Sequence, residues 1–210
     1  MKRVLLLLML AVPMALSAQF KYKEIKDNDT YKRGAVPMVD GRAVVARSIE
    51  IPVERMQEAL AVVDELCGKG GALTKAPAKY YEANRGDDVR VYQIEDQLVF
   101  NRNFINADVA TMSARMVVRV SQGKCVVTLD NILYRIGTTS STTTGMPHEQ
   151  WKSGYSVADT GSIVATAEEY ISDEVALTRK GNLVRALAKY RVKTIDYVDA
   201  VLLAIQKQME

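Results

Sequence analysis

The stretch Thr111–Gly137, TMSARMVVRVSQGKCVVTLDNILYRIG, constrains the fold more than any other part of the chain. In its first half Met112, Ala114, Met116, Val118 and Val120 alternate with Ser113, Arg115, Val117 and Arg119. Period two with one apolar side is the pattern of an antiparallel strand buried on one face. Past Ser121, Gln122 and Gly123, the residues Cys125, Val127 and Leu129 continue the apolar parity against Thr128 and Asp130. Two long strands folded about that turn make a β-hairpin, and the other segments are read by how they pack on it or trim its edges.

The chain begins Met1-Lys2-Arg3, continues with an apolar run from Val4 to Leu10 and reaches Ala15-Leu16-Ser17-Ala18. That is the three-part design of a secretory signal peptide, which predicts residues 1–18 as the signal and Gln19 as the mature N-terminus. The run is too short to span a bilayer, and no other stretch approaches the ~20 apolar residues a spanning helix needs. Cleavage removes Lys2 and Arg3 from the 28 basic residues and none of the 25 acidic ones, leaving 26 against 25. A nearly neutral mature chain carries no electrostatic case for nucleic acid or anionic lipid. Its remaining length is enough for one domain with a sizeable core.

Residues 19–41 read as an extended, lysine-rich lead-in to a single domain over 42–210. The run Arg42–Ile51 has strand composition and stops at Pro52, which cannot donate to a ladder but suits the first turn of a helix. From Pro52 to Cys67 the spacing of Met56, Leu60, Val63 and Cys67 predicts a helix with one apolar stripe, opposed by Glu54, Arg55, Glu58 and Asp64. Gly68-Lys69-Gly70-Gly71 follows that helix. A phosphate loop needs its glycines before a helix, where amide groups face the anion, so these terminate the helix instead. Lys79–Glu82 predicts a short strand and Asp88–Phe100 a longer one, with Tyr92, Ile94, Leu98 and Phe100 in one parity. Arg85-Gly86-Asp87 between them matches a tripeptide read by integrins, but those residue types are also what a hairpin turn wants.

Beyond the central hairpin, residues 138–160 are rich in Thr, Ser and Gly and read as a long loop. Ile163–Leu177 has helical composition, and Asn182–Arg191 adds a short helical turn. Thr194 then caps a last helix whose Ile195, Val198, Leu202, Ile205 and Met209 share a stripe. The order β-α-β-β-β-β-α has no strand–helix alternation that would favour a parallel sheet. It predicts an α+β fold, an antiparallel sheet with the helices packed on one face.

Three of these segments resemble an exported bacterial family catalogued as domain of unknown function 4468. They are the first strand and helix (RAVVARSIEIPVERMQEALAVVDEL), the end of the hairpin (GKCVVTLDNILYRIG) and the tail (LAKYRVKTIDYVDAVLLAI). The resemblance covers most of residues 40–137 and the C-terminus. It implies a TBP-like fold and an exported location, and it transfers no catalytic residue.

Residues that could carry chemistry are few. His148, the single histidine, lies in the loop with Trp151 and Tyr155, and only Glu149 is adjacent to orient it as a base. Cys67 and Cys125 each fall on an apolar face, so two separately buried thiols or, in an exported chain, a helix-to-sheet disulfide are both open. One histidine and two cysteines supply no zinc spacing. Glu168, Glu169, Asp173 and Glu174 form an acidic cluster without a calcium-loop pattern, which reads as a solvated helix face. The polar side of the sheet displays Arg115 and Arg119 among mixed charges.

These features point to a non-catalytic periplasmic or secreted binding module without cofactor or metal. Its partner would be a protein or cell-envelope component, held through His148, Trp151 and Tyr155 or through the sheet face with Arg115 and Arg119. Two alternatives are an envelope hydrolase using His148 with a carboxylate, and a structural component of an envelope assembly docked by a sheet edge.

Overall fold

The computed structural model describes residues 24–25, 34–75, 78–102, 106–136, 139–140, 163–179 and 182–210. In chain order the elements are β1 (Glu24–Ile25), β2 (Met38–Val39), β3 (Arg42–Ala43), β4 (Val45–Glu50), a short 3-10 turn at Val53–Arg55, and α1 (Met56–Cys67). Next come β5 (Lys79–Arg85), β6 (Val89–Arg102), β7 (Asn106–Ser121), β8 (Lys124–Ile136) and β9 (Thr139–Ser140). The chain closes with β10 (Ile163–Thr166), α2 (Ala167–Tyr170), α3 (Asp173–Ala176), β11 (Leu183–Val184) and α4 (Arg185–Met209).

The predicted hairpin is the pair β7 and β8, which runs in register from Ser121 opposite Lys124 to Ala110 opposite Ile136. Gln122 and Gly123 turn it with φ of 52° and 73°. Two successive positive φ values match the right-handed twist of the flanking strands, and glycine takes the second at little steric cost. The predicted inward row, Met112 through Val120, is buried, as are Cys125, Val127 and Leu129. Each of the buried Met, Val and Leu side chains contributes roughly 1.5–3 kcal/mol by leaving water.

The period then breaks once. Arg115 stands opposite Asp130 and Ser113 opposite Leu133, so β8 carries one extra residue there, and Asn131 has a φ of 50°. This bulge moves the inward parity from Leu129 to Ile132 and Tyr134, both buried.

All pairings are antiparallel, in the order β10-β8-β7-β6-β5. β4 and β10 lie end to end along one edge of β8, pairing with Lys124–Leu129 and Leu133–Ile136 respectively. β9 pairs with the start of β7.

Helix α1 buries Ala59, Leu60, Val62, Val63, Leu66 and Cys67, and α4 buries Ile195, Val198, Val201, Leu202, Ile205 and Met209. These residues share one core with the inward row of the sheet, and α1 and α4 also touch each other, so both helices lie on the same face. The predicted α+β arrangement is the observed one. Among the described residues no helix is long and apolar enough to cross a membrane.

Two predicted helical boundaries differ. Thr194 does not cap a helix, because α4 is one continuous helix of 25 residues, about 37 Å long at 1.5 Å per residue. Thr194 sits inside it, fully buried, with its hydroxyl donating to the Tyr190 carbonyl at 2.9 Å and bonded to the Tyr134 hydroxyl at 2.7 Å. A threonine that can cap can equally bond back one turn within a helix, and packing of Tyr190 and Arg191 into the core carries the helix through. The second difference is Ile163–Thr166, which forms a strand because the edge of β8 beyond the bulge offers a ladder to a β-branched segment. Thr166 then starts α2 through a capping box with Glu169.

The expected solvated acidic cluster is also something else. Glu168 accepts the Ala43 N–H at 2.8 Å, and Asp173 accepts the Val36 N–H at 3.1 Å and an Arg191 N–H at 2.6 Å. Three of the four carboxylates are thus committed, Glu169 to its cap and the other two to fastening residues 36–43 onto the domain.

Candidate functional site

Because β-strand side chains alternate, every residue between the buried ones of β5 to β8 and β10 points to the opposite face of the sheet. Among the described residues no helix lies on that face. Register aligns it into rows: Tyr81, Gln93 and Arg115 stand opposite one another with Asp130 beyond, and Val91, Val117, Thr128 and Ala46 form the next row. Val89, Arg119, Val126 and Ser48 follow toward the turn. Toward the other end lie Lys79, Glu95, Ser113, Leu133 and Thr166, then Gln97, Thr111, Arg135 and Val164.

The charges on this face are partly cancelled. Arg115 holds Asp130 with a two-pronged pair, its Nε donating at 2.7 Å, and Lys79 Nζ lies 3.0 Å from Glu95. Arg119 approaches Asp88 only to 4.0 Å with both groups exposed, a pair worth little in water. Arg135 makes no ion pair with the described residues. Apolar groups are exposed on the same face: Tyr81, in the row of Arg115, is 62% exposed, Leu133 43% and Val164, opposite Arg135, 59%.

Arg115 and Arg119 therefore belong to one surface, though only Arg119 remains loosely held. Tyr81, Leu133, Arg135 and Val164 were not singled out by sequence. The parity of β5 could have marked Tyr81, whereas Leu133, Arg135 and Val164 reach this face only because of the bulge at Asn131 and the strand that replaces a predicted helix. His148, Trp151 and Tyr155 lie outside the described residues, and with them the site of the hydrolase alternative.

Cys67 and Cys125 are free and buried. Burial, aided by the nearby Asp64 charge, pushes the Cys67 thiol up to about 12, and burial alone pushes Cys125 up to about 11. The possible disulfide between them is not formed. Cys125 faces Ile49, just before the segment that enters α1, and Cys67 closes that helix 12 residues later, about 18 Å along its axis. Bridging sulfurs requires Cα atoms within about 7 Å.

The integrin-like tripeptide is similarly committed. Arg85 donates to Glu82 at 2.8 and 2.9 Å and to Asp64 at 2.9 Å, while the buried Arg90 donates to Asp64 at 2.7 Å. Asp64 thereby ties α1 to the β5–β6 turn. Among the described residues no group of three His, Cys, Asp or Glu could hold a metal ion.

The fold has a counterpart among solved structures. The chain is similar to a DUF4468 family protein from Bacteroides ovatus ATCC 8483, with a TM-score of 0.61 and 24% identity over 87% of this chain and 94% of that one. It also matches a TBP-like protein from Parabacteroides distasonis ATCC 8503 at a TM-score of 0.46 and 17% identity, over 81% of this chain and 97% of that one. No family model and no curated protein matches it. The first likeness agrees with the family resemblance read from the sequence and shows the fold, an antiparallel α+β sheet with its helices on one face.

Proposed function

We propose that the chain is an exported, non-catalytic binding module that takes a protein partner on the outer face of its sheet. The observation that carries this reading is the open face itself, on which Tyr81, Val91, Val117, Leu133 and Val164 are interleaved with Arg115, Arg119 and Arg135. Tyrosine and arginine are frequent anchors of protein interfaces, because they combine large contact area with directional bonds. With Arg115 and Lys79 matched internally, the least neutralised charges among the described residues are Arg119, only loosely held by Asp88, and Arg135, so the complementary partner presents acidic groups around an apolar patch. Two such arginines fall short of the row of phosphate contacts that nucleic-acid affinity rests on. The free edge of the sheet is a weaker docking site, since β5 lines it with Lys79, Glu82 and Arg85, residues that discourage strand addition. Trp151, His148 and Tyr155 stay in the proposal on the sequence argument alone.

The test is capture from envelope extracts with the tagged mature chain. One specific protein should be held by the wild type and by a Lys207→Glu control on α4, and released by Arg119→Glu combined with Arg135→Glu. Equal capture by the outer-face variant sinks the reading. Trp151→Ala in the same experiment asks whether the loop contributes. Export is checked by N-terminal sequencing of the protein recovered outside the cytoplasm, which should begin at Gln19.

A further inference from the structure

Asp96 stands where the strand pattern asks for an apolar side chain. It occupies the inward row of β6 between the buried Ile94 and Leu98, directly opposite the fully buried Met112 of β7. Its carboxylate accepts the N–H of the next residue, Gln97, at 2.7 Å, and no cation among the described residues acts on it. The titratable groups facing this position are the hydroxyls of Tyr80 from β5 and Tyr197 from α4, with Cys67 of α1 beside them. The two hydroxyls are hydrogen-bonded to each other, and that bond fastens the edge strand β5 to α4. Burial pushes both tyrosines and Cys67 upward, so all three are neutral and none offsets a charge on Asp96.

A carboxylate moved toward the protein interior without a counter-charge is destabilised relative to its protonated form. Burial accordingly raises Asp96 above its ordinary value, against a smaller opposing effect of the Gln97 N–H. We propose that Asp96 is a proton-operated latch: neutral, it lets β5 seat against α4 through Tyr80 and Tyr197, and ionised, it draws water into that seam and loosens the strand. Since β5 also carries Tyr81 onto the outer face, the latch would set how firmly one side of that face is held. It stands independently of whether the face binds a partner.

The direction in pH follows from the raised value. The stabilising contribution is fully present below the unfolded-state value and is lost as pH rises through the higher folded-state value. Paired carboxylates such as Asp64, held low by Arg90 and Arg85 in spite of burial, produce the opposite trend, so the latch must be read as a difference against Asp96→Asn. Amide hydrogen exchange of β5 is measured from pH 4 to pH 7 in both proteins, and the ratio of rates at each pH cancels the intrinsic pH dependence of exchange. The wild-type rate relative to the variant should rise at least threefold across this range. In the wild type alone, the Asp96 side-chain carbon followed by NMR should titrate above 3.8. A flat ratio, or a midpoint at or below 3.8, overturns the proposal, and the NMR arm decides it even where the Asn variant fails to fold.

Discussion

Replacing Asp173 by Ala tests whether the N-terminal part of the domain is held by the carboxylate that connects it to α4. The Arg191 side chain is 2% exposed, with Nη1 on the Ile171 carbonyl at 2.6 Å and Nη2 on the Gly34 carbonyl at 2.7 Å and on Asp173 at 2.6 Å. Its Nε has no partner among the described residues. Asp173 is the only counter-charge paired with it there, and it also accepts the N–H of the fully buried Val36. Removing one member of a buried ion pair costs about 3–5 kcal/mol. The orphaned Val36 N–H adds about 1–3 kcal/mol. Asp173 is itself 34% exposed, so water already screens the pair and can enter the gap, which brings the net expectation to about 3 kcal/mol. With a urea slope of about 2–3 kcal/mol/M, the unfolding midpoint should fall by about 1–1.5 M. Combining Asp173→Ala with Arg191→Met removes both charges and should cost less than Asp173→Ala alone, since replacing a whole buried pair is often near neutral. A single-mutant loss below about 1 kcal/mol, or a double mutant in which the two costs simply add, would refute the reasoning.

Met116→Ala, at a fully buried site, should cost about 2–5 kcal/mol in denaturant unfolding, while Arg119→Glu on the outer face should stay within about 0.5 kcal/mol. Gly123→Ala places a side chain at a φ of 73° with the Ile51 carbonyl 3.4 Å from the new Cβ, and should lower stability by about 1 kcal/mol or more. Neither Cys67 nor Cys125 should react with a thiol reagent at pH 8 until denaturant is added, since burial disfavours both thiolates; rapid reaction in native buffer would contradict the burial of both thiols in the core between the helices and the sheet.

The amino-acid sequence by itself determined the elements whose period is long and uninterrupted. Met112 to Val120 had to be a half-buried strand, Gln122-Gly123 a tight turn, and Met56 to Cys67 a helix with one apolar side, because those choices follow from local geometry and the cost of exposing apolar surface. From their order came the antiparallel sheet with both main helices on one face. Tertiary structure decided whatever depended on a partner distant in the chain. Ile163–Thr166 is a strand because β4 leaves the far end of the β8 edge unpaired. Thr194 lies inside a helix because Tyr134 waits for its hydroxyl. Glu168 and Asp173 are tethers because the N–H groups of Ala43 and Val36 arrive beside them. The outer face was half legible for the same reason. Arg115 and Arg119 follow from the alternation of β7, but Leu133 and Arg135 are turned outward by a one-residue bulge, and one such shift of register exchanges every later side chain between core and surface.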